Sequence, residues 1–254
     1  MIKLISILFI TFMPLWVEAY DIPDFSANYS INIDGIQAGQ LKRTLSTQKD
    51  SSRIFKSETQ AKGIFAFFKP DLVEETSIFK AENNSIIPQS YLYQRTKGKK
   101  DKYLKLNFDW ANKQVHIDDK KHPWSLDIET KILDKLVYQL ALMTDLAENK
   151  KQFNYQIADG GKVKIYNIII IDHEVVTTPL GKIKTVKLMR QRDKASRRQT
   201  TLWCAPALDY LPVKLEHIEK DGAVFTAELR HLTGVQITDA FQPATPNLPS
   251  FGAH

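Results

Sequence analysis

The chain has 254 residues, 43% hydrophobic and 25% charged, with 10 Gly and 11 Pro, a balance that excludes collagen-like, low-complexity and disordered chains. Its mean hydropathy of −0.30 excludes a polytopic membrane protein, and its one Cys supplies neither an internal disulfide nor a thiolate metal cluster. The formal net charge of +6 is unevenly placed: residues 20–130 carry 17 basic and 15 acidic side chains, residues 131–198 carry 14 and 7, and residues 199–254 carry 3 and 6.

Met1-Ile2-Lys3, the apolar run Leu4 to Val17 and the small-residue site Val17-Glu18-Ala19 have the form of a secretory signal peptide, residues 1–19, cut between Ala19 and Tyr20. The run is about 14 residues long against the ~20 a membrane span needs, and Pro14 interrupts it. No Cys follows it, so lipid attachment in the bacterial lipoprotein manner is excluded, and a free periplasmic protein is expected. A basic protein outside the cytoplasm meets anionic lipid head groups and cell-wall polymers rather than nucleic acid.

Beyond Tyr20 the dominant signal is a two-residue period. Tyr29-Ser30-Ile31-Asn32-Ile33 alternates loosely, Tyr91 and Tyr93 follow Pro88, and Leu104-Lys105-Leu106-Asn107-Phe108-Asp109-Trp110 alternates throughout. Such runs place apolar side chains on one buried sheet face and polar ones on the other. Turn signals separate them at Asp34-Gly35, Asn83-Asn84, Lys97-Gly98, Asp159-Gly160-Gly161, Pro179-Leu180-Gly181 and Asp221-Gly222. A meander of about eleven strands is expected. Ile168-Ile169-Ile170-Ile171 is apolar in both phases and predicts a central strand covered on each side, while Phe225-Thr226-Ala227-Glu228-Leu229 returns to alternation.

Two segments break the period. Gly63-Ile64-Phe65-Ala66-Phe67-Phe68-Lys69-Pro70 packs three Phe and one Ile between a glycine and a proline. It reads either as a core plug at a sheet corner or as an apolar mouth loop that meets a lipid or acyl chain. Thr130 to Ala147 carries Ile132, Leu133, Leu136, Val137, Leu140, Met143, Leu146 and Ala147 at three- and four-residue spacing, which predicts a helix with Ser125 or Asp127 as its cap. Past Gly234 the sequence gains proline and loses period, so residues 235–254 read as a loose tail.

Candidate chemistry is sparse. His116-Ile117-Asp118-Asp119-Lys120-Lys121-His122 offers imidazoles and carboxylates, but at no metal-ligand spacing and within a turn-like loop; Asp172-His173-Glu174 is no better placed. Glu58, Glu74 and Glu75 form a glycosidase pair only if the fold brings two of them to the right separation. No Gly-x-Ser-x-Gly is present, and Cys204 lies within a strand-like run, the setting of a buried inert thiol. No catalytic residue, metal or cofactor is expected, and a hydrolase is the weakest functional reading. Lys97-Gly98-Lys99-Lys100-Asp101-Lys102 and the stretch Arg190 to Arg198 read as solvated basic turns. Alternatively Arg190, Arg192, Lys194, Arg197 and Arg198 bind an anion. Aromatic residues do not interleave with these charges as single-stranded nucleic acid requires.

The order of several blocks resembles the exported bacterial family called domain of unknown function 3108. These are Tyr29, Gly35-Ile36-Gln37-Ala38-Gly39, Ala61-Lys62-Gly63-Ile64, Ile87-Pro88-Gln89-Ser90-Tyr91 and Asn107-Phe108-Asp109, then Asp134-Lys135-Leu136-Val137-Tyr138-Gln139-Leu140, Thr178-Pro179-Leu180-Gly181-Lys182, Thr201-Leu202-Trp203-Cys204-Ala205-Pro206 and Tyr210-Leu211-Pro212-Val213. The resemblance spans residues 26–234 and implies a mostly β, periplasmic protein, with no activity attached.

The expected architecture is one all-antiparallel β domain, residues 20–234, a meander curled into a barrel or half-barrel with the helix 130–147 packed on or into it. By fold analogy alone it resembles the open barrels of bacterial lipoprotein carriers. The expected function is non-catalytic binding of an apolar or amphipathic ligand such as a lipid. Leu104, Leu106, Phe108 and Trp110 would form the wall of the site, capped by Ile64, Phe65, Phe67 and Phe68. The alternative is an envelope scaffold or assembly factor that docks on anionic polymer or a protein partner through the basic face.

Overall fold

A computed structural model describes residues 21–63, 65–66, 71–82, 85–98, 100–120, 123–129, 131–192 and 196–243. Fifteen strands among these residues form one continuous sheet. The first wing is β1 (Phe25–Ile33), β2 (Ile36–Thr47), β3 (Arg53–Ala61), β4 (Leu72–Glu82), β5 (Ser85–Thr96), β6 (Lys102–Asp109), β7 (Gln114–Asp118) and β8 (Trp124–Asp127). The second is β9 (Ile132–Asp134), helix α1 (Tyr138–Ala147), β10 (Phe153–Ala158), β11 (Val163–Thr178), β12 (Gly181–Gln191), β13 (Gln199–Ala205), β14 (Leu211–Ile218) and β15 (Val224–Thr233). Every strand pairs with its neighbours in sequence except at one seam, where β1 pairs with β15, so β8 and β9 are the edges. The β9 edge then comes back against β4 and β5, where Ser77 Oγ donates to Asp134 Oδ2 at 2.7 Å. The curled meander is thus as expected.

One pairing departs from it: β9 and β10 run parallel, because α1 stands between them as the crossover that parallel neighbours require. The helix itself is shorter than its apolar spacing suggests. Ile132–Asp134 is strand, and neither Ser125 nor Asp127 caps the helix, since both lie on β8. Instead Asp134 Oδ1 accepts the N–H groups of Leu136 at 2.8 Å and Val137 at 3.0 Å, fixing a turn that leads into Tyr138. A short side-chain acceptor that captures backbone N–H groups two and three residues ahead competes with a continuing helix. Leu140, Leu142, Met143, Leu146 and the polar Gln139 and Thr144 are all buried, so α1 sits inside the curl, surrounded rather than resting on one face.

Alternation sets the inner face. Phe25, Ala27 and Tyr29 are buried, and the register carries the same face across Leu45, Arg43 and Leu41 to Phe55, Ser57 and Thr59. Tyr29 donates its hydroxyl to the Pro212 carbonyl at 2.9 Å, tying β1 to β14. Gly39 is required where β2 passes β3, since a Cβ there would stand 2.6 Å from the Gln60 carbonyl oxygen. The block Trp203 to Pro212 builds the β13–β14 corner: Pro206 opens a single 3₁₀ turn, and Asp209 and Tyr210 follow at φ 53° and 58°.

Ile168 to Ile171 is not covered on both faces. Ile168 is buried, but Ile170 is 38% and Ile171 42% exposed. The partner strand β10 ends its pairing at Ile168 and a bulge interrupts the register after Ile170, so the rest of β11 projects with a neighbour on one side only. The tail also differs from a loose segment at its start. Lys182 and Gln242 exchange two backbone hydrogen bonds of 2.8 Å, with Phe241 against the core; residues 244–254 lie outside the described set, as do residues 1–20.

Arg53 anchors the lower edge. Its side chain is 7% exposed and donates to Asp21 at 2.6 Å, Asp24 at 3.0 Å and the Ile22 carbonyl at 2.6 Å. Because both aspartates keep access to water, Arg53→Met leaves no stranded charge. It is expected to lower stability by about 1–3 kcal/mol and to expose the Asp21–Asp24 segment to protease, as urea melts and limited proteolysis would read.

Candidate functional site

Alternate hairpins within each wing place their connections at one end of the sheet, here called the upper rim. The β1–β2, β3–β4, β5–β6, β7–β8, β10–β11, β12–β13 and β14–β15 connections all lie there. Gly63, Phe65 and Ala66 of the apolar segment and the described residues of both basic stretches therefore share this rim. Of the apolar segment, Phe65 is half-buried, while Ile64, Phe67 and Phe68 lie outside the described residues, as does Lys194 of the basic turn.

Below the rim the interior has two levels. The lower level is filled: α1 occupies it, and Leu106 and Phe108 are buried there with Phe79, Tyr91 and Leu140 in one continuous core. Trp110 lies at the bottom of β6, stacked on Phe108 with its indole N–H on the Pro88 carbonyl at 2.7 Å. Of the four wall residues on β6, only Leu104 stands at the upper level. That level is lined by side chains that remain half-buried, among them Ile31, Val73, Tyr93, Leu104, Leu215 and Phe225. Ala227, Leu202 and Leu188, which share one register row with Ile31 and Leu215, are buried.

Polar groups also face the interior. Tyr138, the first residue of α1, packs its ring against Tyr155 and edge-on against Tyr166 at 5.2 Å. Burial pushes its hydroxyl up to about 12, opposed by Arg190 and Arg43. Arg190 Cζ sits 3.1 Å over the Tyr166 ring, and Arg192, just past the end of β12, is held below the usual arginine range by burial and by Arg190. Arg190 and Gln191 are the end of a strand, not a turn. The basic stretch therefore divides: Arg190 and Arg192 turn inward, Arg198 pairs with Glu219 at 2.7 Å, and Arg197 alone of the four described arginines is exposed.

Across the curl, Arg43, Ser57, Glu75 and Tyr93 form one inner row. Glu75 accepts the Tyr91 hydroxyl at 2.5 Å. Asp134 is fully buried and pushed up to about 6 by desolvation, against the lowering effect of Ser77 and two backbone N–H groups. Cys204 is also fully buried, its thiol pushed up to about 12, which removes it as a nucleophile. Glu58 and Glu74 face each other on the outer side while Glu75 faces in, so the three do not converge. His116 shares a hydrogen bond of 2.8 Å with Ser125 and approaches Asp109 at 3.7 Å. Among the described residues no three His, Cys, Asp or Glu side chains gather as metal ligands.

Arg43, Glu75, Asp134 and Tyr138 are absent from the sequence-derived site. One signal was available: in Leu41-Lys42-Arg43-Thr44-Leu45 the arginine occupies the apolar phase of the alternation, where an ionised side chain is rarely placed without a partner.

A continuous curled sheet, filled at one end by its own helix and lined by half-buried residues at the other, defines a β-barrel-like protein. The chain belongs to the family described as "Protein of unknown function (DUF3108)", whose model matches residues 25–230. No curated protein matches. Among solved structures, the crystal structure of a β-barrel-like protein of domain of unknown function DUF1849 from Brucella abortus superposes with a TM-score of 0.53. It is 9% identical, and the match covers 85% of this chain and 98% of that one. A DUF1329 family protein from Desulfovibrio piger is 11% identical over 84% of this chain and 85% of its own, with a TM-score of 0.23. The first likeness concerns the fold alone.

Proposed function

We propose that this protein is exported, is cut after Ala19, and serves in the cell envelope as a non-catalytic binder of an amphipathic ligand of the lipid class. The observation that carries the reading is the division of the interior. The helix fills the lower level, whereas Ile31, Val73, Tyr93, Leu104, Leu215 and Phe225 stay half-buried around the upper one, beneath a rim that bears Phe65. Burying each methylene of an acyl chain contributes about 0.8 kcal/mol, so a chain of modest length held there needs few polar contacts, its ordering cost notwithstanding. Docking on an anionic polymer through the basic turn draws less support, because Arg190 and Arg192 are half-buried with their Nε atoms enclosed and Arg198 is paired.

The protein recovered from the periplasm is expected to begin at Tyr20 and to carry substoichiometric lipid in native mass spectra. Leu104→Asp, which places a charge on the upper wall, is expected to remove most of that lipid while leaving the circular dichroism unchanged. A delipidated protein that binds no fatty acid or phospholipid would sink the reading.

A further inference from the structure

The protein contains two arginines buried to the same depth with opposite surroundings. Arg53, 6% exposed, is matched by two carboxylates and a carbonyl. Arg43, 8% exposed, makes no hydrogen bond or ion pair among the described residues; its Nε is enclosed without an acceptor, and the Tyr29 ring lies 5.9 Å from its guanidinium carbon. An ionised group removed from water costs several kcal/mol unless paired, and arginine keeps its charge in proteins. Arg43 is therefore a standing cost in the ligand-free fold.

It does not stand alone. The Tyr138 hydroxyl lies within electrostatic reach of Arg43 and Arg190, and also of Arg192. The Nε atoms of Arg190 and Arg192 are likewise enclosed and without acceptors. Among the described residues no carboxylate pairs with any of the three. Glu75 faces the same space but is engaged by Tyr91, and Asp134 is occupied by Ser77 and two backbone N–H groups. Three cations against these two carboxylates leave a net positive inner face, with Arg190 in the register row of Phe225 and Arg192 beyond it toward the rim. Arg43 has only Ala27 and Ser57 beside it in its row, so small neighbours leave its guanidinium free on the inner face.

We infer that Arg43, Arg190 and Arg192 bind the oxyanion of the ligand, a phosphate or carboxylate, with Tyr138 as an added hydroxyl donor. This rests on the amphiphile reading above and narrows it: the ligand is an anionic amphiphile whose acidic group meets these arginines and whose chain lies along the half-buried apolar side chains. Guanidinium groups match such oxyanions in shape and charge, and a low-dielectric wall strengthens the attraction.

The test titrates the purified, delipidated protein with dodecyl phosphate, dodecanol and inorganic phosphate by calorimetry, and repeats the titrations on Arg43→Gln, Arg190→Gln and the exposed control Arg197→Gln. Dodecyl phosphate is expected to bind more tightly than dodecanol, and each inward substitution to weaken it by roughly 10- to 100-fold, the worth of a hydrogen bond to a charged group. Dodecanol affinity and the control are expected to change little. Arg43→Gln is also expected to melt no lower than wild type without ligand, which a purely structural arginine would not allow. Dodecanol binding as tightly as dodecyl phosphate, or inward variants that keep wild-type affinity for the phosphate, would overturn the inference and leave the lipid reading intact. Inorganic phosphate matching dodecyl phosphate, with that binding lost in Arg43→Gln, would support the anion site and overturn the lipid reading. Binding of none of the three probes overturns the inference.

Discussion

Asp134→Ala is expected to lower stability by about 3 kcal/mol or more, because it strands the N–H groups of Leu136 and Val137 and the Ser77 hydroxyl at a fully buried position, each such loss being worth about 1–3 kcal/mol. Asp134→Asn behaves differently, since an amide oxygen still accepts both N–H groups and its NH₂ group still reaches Ser77. Burial pushes the carboxyl up to about 6 in the fold from its ordinary 3.8. A raised carboxyl binds its proton more tightly when folded, so its contribution is full below the unfolded value and is lost as pH rises through about 6. At about 1.4 kcal/mol per unit, the whole window is worth roughly 3 kcal/mol. Asp134→Asn is therefore expected to exceed wild type in stability at pH 8, with the advantage shrinking as pH falls toward 4. Asp24, Asp159, Glu174 and Glu219 are shifted the opposite way and weaken both proteins alike on acidification, so the difference between the two urea curves isolates Asp134. Parallel pH profiles for wild type and Asp134→Asn would refute the assignment.

Leu140→Ala is expected to cost about 3–5 kcal/mol, the upper part of the range for buried leucine truncation. Leu140 is 1% exposed and already borders a cavity of about 30 Å³ with Ile22, Phe79 and Ile86, so truncation enlarges an existing void and the stiff sheet around it cannot collapse inward. The urea midpoint should fall with an unchanged slope. Because α1 is what fills the lower level, the same variant should also accept longer acyl chains in native mass spectra. A loss below about 1 kcal/mol would mean that the helix is not held by its surroundings.

How far the sequence carries depends on whether a residue's neighbours are close along the chain. Alternation in Leu104 to Trp110 located β6 and its buried face, and the turn pairs Asp34-Gly35 and Asp221-Gly222 fall at hairpins of the finished sheet. The helix spacing identified α1 but overran its start, because what ends β9 is the reach of the Asp134 carboxylate to its own backbone and to Ser77, 57 residues away. The run Ile168 to Ile171 misled for a related reason: coverage is decided by where β10 stops, which the isoleucines do not encode. Leu106 and Phe108 were assigned to a ligand wall by phase alone, but only the depth of α1 separates them from Leu104. The inward turn of Arg190 and Arg192 follows from strand phase at the end of β12, which a reading as solvated loop passed over.

The order of the strands also bears on how the molecule assembles. Within each wing every antiparallel partner is the next strand along, so β1–β8 and β10–β15 each require only short loop closures and can zip hairpin by hairpin. The seam is different: Arg230 bonds Ser30 across 200 residues, and Tyr29 reaches Pro212 across 183. Chain entropy for such a closure grows only as the logarithm of its length, but it is met once and all together, with two preformed sheets finding each other edge to edge. Until that happens the unpaired flanks of β1 and β15 are open hydrogen-bonding templates of the kind that recruit other chains. The half-formed protein is thus most vulnerable to aggregation at the strand pair that, once joined, lies in the middle of the sheet.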